Sequence, residues 1–202
     1  MGITRKWNAW MLGFALAGLC GFAAAQSSST PASSAPMSHS QMSGASASSN
    51  LSPTDKRFAM EAAQGGRAEV ELGKLAEQKA SNPEVKQFAE RMVHDHTQAD
   101  AQLKQVAAQT GIALPVSLSS KDEALKEKLS GLSGEQFDKT YMQNMVLDHT
   151  KDISEFKHES ADGKDSAVKN FASETLPTLE SHLKEARHIE PMVAQNGPMS
   201  KG

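Results

Sequence analysis

The chain has 202 residues, of which 22% are charged, and a formal net charge of −3. That length suits one ordinary domain with extra segments rather than two full domains. The charges are interspersed along the chain and form no basic patch, so nucleic acid is not an expected partner.

The N-terminus carries the three parts of a secretory signal: basic Arg5 and Lys6, an apolar stretch from Trp10 to Phe22, and small residues Ala23-Ala24-Ala25 before Gln26. Residues 1–25 are read as a cleaved signal. The apolar run is shorter than the ~20 residues that span a bilayer, and no other segment approaches that length. Cys20 lies inside this segment, preceded by Leu19 where lipid attachment favours a small residue. Lipidation is therefore the alternative to cleavage after Ala25. Cleavage leaves a mature chain without a thiol, whose stability must come from packing. The expected location is periplasmic or secreted, compatible with association with the outer membrane.

Residues 26–52 are mostly Ser, Ala, Pro and Gly, too poor in apolar bulk to offset the entropy of ordering, and read as a flexible tether. Met37, His39 and Met42 cluster within it, a soft donor set that suits copper, against the plainer reading of linker.

From Pro53 to Ala194 apolar residues recur at helical spacing, which predicts an all-α domain of four long helices. The first covers about Pro53 to Ala80, with Ser52 as N-cap and Pro53 at the first helical position. The second covers Pro83 to Thr110 and stops at Gly111. A connection containing Pro115 leads to a short helix at Ser120–Leu129 that lies across the bundle. The third runs from Gly134 to Ala161, breaks at Asp162-Gly163, and is followed by the fourth from Lys164 to Ala194. Pro177 either kinks this last helix or opens a separate one. Residues 195–202 read as a flexible tail. Two hairpins with short turns, joined by one long connection, predict a ferritin-like four-helix bundle. Internal echoes accompany the pairing: Val85-Lys86-Gln87-Phe88-Ala89 against Val168-Lys169-Asn170-Phe171-Ala172, and Met92 to Thr97 against Met145 to Thr150.

Each residue advances ~100° around a helix, so the facing of side chains can be calculated. The seam Val85, Ala89, Met92, His96, Ala99, Leu103, Val106 places His96 inside and His94 outside. The seam Met142, Val146, His149, Ile153, Phe156 does the same for His149, with His158 outside. His182 falls at the edge of the last stripe and His188 outside it, while Glu69 shares the inner face of the first helix with Phe58, Leu72 and Ala76. Counting from the hairpin loops, at ~1.5 Å per residue, puts Glu69, His96 and His149 in one layer and His182 more than a turn away. Glu69, His96, His149 and His182 are the candidate ligands of a transition metal (zinc, iron, copper or manganese), with Asp95 and Asp148 as supporting groups behind them. The alternative is a buried polar layer that sets helix register. Glu155-x-x-His158 and Glu185-x-x-His188 copy the di-iron signature, but both are predicted to face outward.

The pattern Val70-x-Leu72-Gly73-x-Leu75-Ala76, Asn82-Pro83-x-Val85-Lys86-x-Phe88-Ala89, Met92-Val93-x-Asp95-His96, Phe137-Asp138-x-x-Tyr141, His149 and Leu176-Pro177-x-Leu179-x-x-His182 resembles the bacterial domain of unknown function 4142. The likeness covers about Asp55 to Arg187. It implies a ferritin-like bundle in exported proteins, some described as outer-membrane proteins, with no settled activity and no catalytic residue to carry across. The first functional expectation is a non-catalytic envelope or stress-related module that binds another envelope protein or a small ligand. The second is the metal-binding or redox protein. No Ser/His/Asp or Cys/His grouping lies in register, so no catalytic residue is assigned.

Overall fold

The computed structural model describes residues 51–195. The signal segment, Cys20, the tether with Met37, His39 and Met42, and the tail after 195 lie outside the described residues. Five helices follow one another: α1 (Pro53–Lys79), α2 (Pro83–Thr110), α3 (Ser120–Ser130), α4 (Gly134–Asp162) and α5 (Ser166–Gln195). Among the described residues there is no strand, and no helix is long and apolar enough to cross a membrane.

Local chemistry sets the boundaries. Ser52 Oγ accepts from Asp55 N at 3.1 Å while Asp55 accepts from Ser52 N at 2.8 Å, a reciprocal cap on α1. Asn82 caps α2 by accepting from Glu84 N, and Pro83 supplies the first helical position, where a missing N–H costs nothing. At the far end Gly111 takes φ 73°, the left-handed conformation that ends a helix at little cost to glycine. Two expectations are corrected here. The last helix starts at Ser166, two residues later than read, because Asp165 caps it by accepting from Ala167 N and Val168 N. Pro177 lies inside a continuous α5 and opens no separate helix; its ring is exposed, so the carbonyl it leaves without a donor is on the wet side.

α1 pairs with α2 and α4 with α5, while α1 also lies against α4 and α2 against α5. The segment from Gly111 through α3 travels the length of the bundle, the ferritin-like connection. Close approach of α1 to α2 is set by Gly73, where a Cβ would come within 2.8 Å of Val93 Cγ2 and 3.2 Å of the Ala89 carbonyl.

Two buried aspartates fix the register of the hairpins. Asp138, on α4, accepts from Ser81 N (3.0 Å), Ser81 Oγ (2.5 Å) and Asn82 N (2.9 Å) in the α1–α2 turn. Asp55, on α1, accepts from Lys164 N and Asp165 N, both at 3.0 Å, in the α4–α5 turn. Each hairpin thus holds the turn of the other, the reciprocal contact expected of two-fold-related units. The same 83-residue spacing relates Asp55 to Asp138, Val85 to Val168 and the cap Asn82 to the cap Asp165. The first of the two internal echoes therefore matches the architecture, whereas the second joins α2 to α4, which the reciprocal contacts do not relate.

Apolar side chains form two clusters. One contains Leu72, Phe88, Met92, Phe137 and Met142 near the α1–α2 turn; the other contains Phe58, Leu103, Phe156, Phe171 and Leu179 toward the α4–α5 turn. Each such side chain contributes ~1.5–3 kcal/mol on burial. Between them lies a polar layer: Glu69, His96, His149 and His182, all buried.

Asp138→Ala should lower the unfolding free energy by ~1–3 kcal/mol, because it strands buried backbone donors of the α1–α2 turn; denaturant titration would show it, and a loss near zero would contradict the clasp. Glu159, buried beside Asp55, has its carboxyl pushed up to about 7 by burial and then by the Asp55 charge. A raised carboxyl favours the folded state below its ordinary value of 4.5, and that contribution is lost as pH rises through about 7. Glu159→Gln should therefore be more stable than the wild type at pH 8, by roughly 1–3 kcal/mol, and the difference should shrink toward pH 5 in thermal melts.

Candidate metal centre

His96 from α2, His149 from α4 and His182 from α5 converge in the polar layer, with exposures of 6%, 0% and 0%. Their ring centroids are 5.7 Å (His96–His149), 5.4 Å (His96–His182) and 5.4 Å (His149–His182) apart. One ring nitrogen of each lies within 4.8 Å of the others. A tetrahedral ion with ~2.0–2.1 Å bonds needs nitrogens ~3.3 Å apart, so small ring rotations would close the set.

Two of the rings are held from behind by protein oxygens. His149 Nδ1 lies 2.9 Å from the Met145 carbonyl one turn back on α4, a carbonyl that can only accept, so Nδ1 carries the proton. His182 Nε2 lies 2.8 Å from Asp95 Oδ2. Asp95 is itself braced by Arg91, whose Nε is 3.4 Å away and whose other nitrogens bind Glu185 (2.6 Å) and Ser181 (2.8 Å) on α5. The opposite nitrogens, His149 Nε2 and His182 Nδ1, are buried without a partner, and so is His96 Nε2. A carboxylate or carbonyl behind each ring, with the other nitrogen left bare, is how proteins orient metal-binding histidines.

Burial is the main influence on all three rings and lowers their pKa values, that of His149 to about 4. The Asp95 carboxylate opposes this at His182, and mutual repulsion among the rings adds to it at His96 and His149. At neutral pH the imidazoles are uncharged, the form that binds metals.

The other expected residues fall differently. Glu69 is buried, but its Oε1 lies 3.9 Å from His149 Nδ1, the nitrogen already committed to Met145, and its Oε2 has no partner. It stands behind His149, outside the ring of three nitrogens. Burial, followed by the charges of Asp152 and Asp148, raises its pKa well above the usual range. Asp95 Oδ2 lies against His182 Nε2 at 2.8 Å. Asp148 does not support a histidine; it pairs with Lys121 at 3.3 Å on the surface. His182, expected more than a turn out of the layer, is in it. Measured from the helix ends rather than from Gly163, the offset from His149 falls to three residues, ~4.5 Å along the axis, which side chains of this length span. His94, His158 and His188 are exposed, so the two Glu-x-x-His copies face outward.

The 83-residue spacing has a further product. It carries His96, His149 and His182 onto Leu179, Gly66 and Ala99, and these three line a cavity of about 30 Å³ that His96 also touches. The set of positions related to the imidazoles, drawn from both hairpins, thus lines a small void.

The sequence matches the model of the Domain of unknown function (DUF4142) over residues 40–189, and the chain belongs to that family. Among solved structures, a DUF305 fragment from Deinococcus radiodurans is similar in fold, with a TM-score of 0.63 and 14% identity over 70% of this chain and 98% of that one. A DUF305 protein from Streptomyces coelicolor is similar too, with a TM-score of 0.60 and 15% identity over 70% of this chain and 92% of that one. Among curated proteins none matches.

In the metal-free protein, nitrogen-15 NMR should find His149 protonated on Nδ1 and His182 on Nε2, opposite tautomers set by their different anchors. Asp95→Ala should disturb the His182 tautomer and leave that of His149 unchanged; identical tautomers of His149 and His182 in the wild type would overturn the assignment.

Proposed function

We propose that this protein is a transition-metal-binding protein of the cell envelope that holds one ion on His96 Nε2, His149 Nε2 and His182 Nδ1. One observation carries the reading: three neutral imidazoles, on three helices, turn unpartnered nitrogens into one buried layer. A buried polar layer that only set register would satisfy these nitrogens by hydrogen bonds, and an unmade bond costs ~1–3 kcal/mol each. A shared cation offsets all three at once.

An all-imidazole set favours copper or zinc, since imidazole suits both and affinity at nitrogen sites peaks at copper. Manganese prefers carboxylates, and Glu69 stands outside the set. Three protein ligands leave a fourth position open, as in sites where an ion exchanges or meets a small molecule. The envelope location rests on the signal pattern of Arg5, Lys6 and the apolar run before Ala25. It is also in keeping with the Streptomyces coelicolor neighbour, described as a candidate for secretion.

Elemental analysis of protein purified without a histidine tag should find about one equivalent of copper or zinc. The metal should be lost in His96→Ala and His149→Ala, and Asp95→Ala should weaken binding ~10–100-fold as its ring loosens. Metal-free protein whose melting temperature ignores added copper and zinc would sink the proposal.

A further inference from the structure

A second cavity, of about 160 Å³ and open to solvent, lies on the seam between α1 and α4 beneath the first turn of α3. Its walls carry five carboxyl groups, Glu61, Glu69, Asp122, Asp148 and Asp152, against two lysines, Lys121 and Lys151. Both lysines are exposed and sit at the rim, Lys121 on Asp148 at 3.3 Å, and Lys151 on Glu155 at 2.8 Å with Asp152 farther off at 4.0 Å. Acidic clusters are common on surfaces, but this one has an inner end that is not on the surface. Glu69 lines the cavity, its side chain is 4% exposed, and its Oε2 lies buried without a hydrogen-bond partner. The other oxygen of the same carboxyl lies 3.9 Å from the His149 ring.

The cavity also abuts the void beside His96: Glu61, Gly65 and Asp152 line both. Gly65 keeps that boundary thin, since a Cβ there would meet nothing within 4 Å. Glu69 and Asp152 are related by the 83-residue spacing, so the reciprocal packing of the hairpins sets one carboxyl from each at this seam.

We infer that this acidic cavity is the entry route for the metal, a vestibule with the unpartnered Glu69 oxygen at its inner end, in which Glu61 and Asp152 collect a hydrated divalent cation from solvent and pass it through the shared wall at Gly65 toward His96 and the other two imidazoles. The inference rests on the reading of His96, His149 and His182 as the ion's resting site. Physically the vestibule supplies what the imidazole site lacks. Three neutral rings in an apolar surround exert no long-range attraction on a cation, whereas a cleft in which carboxyl groups outnumber lysines concentrates it and, by focusing the field, raises association rates by about 10-fold or more. Carboxylate oxygens also exchange with the water shell of an incoming ion more gently than buried nitrogens can, because the ion need not shed all its water at once.

The test is the rate of cobalt(II) uptake by the metal-free full chain, followed by stopped-flow absorption of the bound ion. The double variant Glu61→Gln/Asp152→Asn should take up cobalt at least ~10-fold more slowly than the wild type, yet reach the same final spectrum and stoichiometry. Glu84→Gln/Glu90→Gln, an equal change of charge on the exposed face of α2, should leave the rate unaltered. Glu61→Gln alone, at an exposed position that does not threaten folding, should give an intermediate rate. Equal rates in the vestibule and control variants would overturn the route while leaving the three-imidazole site standing. A changed final spectrum in Glu61→Gln/Asp152→Asn would overturn it too, by making these carboxylates ligands. Absence of a cobalt spectrum that His96→Ala abolishes would sink the imidazole site, and the route with it.

Discussion

The histidine layer exists because two hairpins are locked in register by Asp55 and Asp138. Helices packed by apolar seams alone can slide by a turn, ~5.4 Å, with modest loss of contact. Such a slide would carry His96 past His149 and separate rings whose centroids are 5.4–5.7 Å apart. Each aspartate forbids it with buried hydrogen bonds to the opposite turn, at opposite ends of the molecule, so that tilt as well as translation is constrained. The clasps stand far from the imidazoles along the helices, yet they determine whether those imidazoles meet.

With register fixed, the middle of the bundle can hold polar groups that packing alone would reject. Two apolar clusters flank the layer and exclude water from it, and that exclusion keeps the rings neutral. Neutral rings need a defined proton position. The Met145 carbonyl and the Asp95 carboxylate provide it at His149 and His182, and Arg91 extends the bracing to α5 through Glu185 and Ser181. The layer is thus a place of specificity more than of stability, since hydrophobic residues of similar volume would pack there at less cost.

Much of this was legible in the periodicity. Steps of three and four residues place His96 and His149 on inner faces without ambiguity, and turn residues around Asn82-Pro83 and Gly163 separate the helices. Height was harder to read. The Gly163-Lys164-Asp165 turn takes the chain past the end of α4 before α5 begins, so counting from the glycine displaced His182 from a layer it shares. Asp148 pairs with Lys121 and not with a ring because neighbours in sequence diverge on a helix, where the next residue points ~100° away. Asp95, in the equivalent place, meets a ring only because α5 brings His182 to it. Asp55, Asp138 and Asp152 went unread as functional positions, although the repeat that opens α2 and α5 carries the same spacing that relates the first two to each other and Asp152 to Glu69.

That spacing also shows how far the bundle has departed from its two-fold. The positions related to the three imidazoles, drawn like them from both hairpins, carry a leucine, a glycine and an alanine, and the small pair leaves an unfilled space. The bundle therefore contains a blank impression of its own centre, backed by the same helix geometry and locked by the same clasp. That spare mould is not wholly vacant, since a Cβ on Gly66 would stand 2.5 Å from Asp100 Oδ1, so any side chain added there would first have to displace that carboxylate.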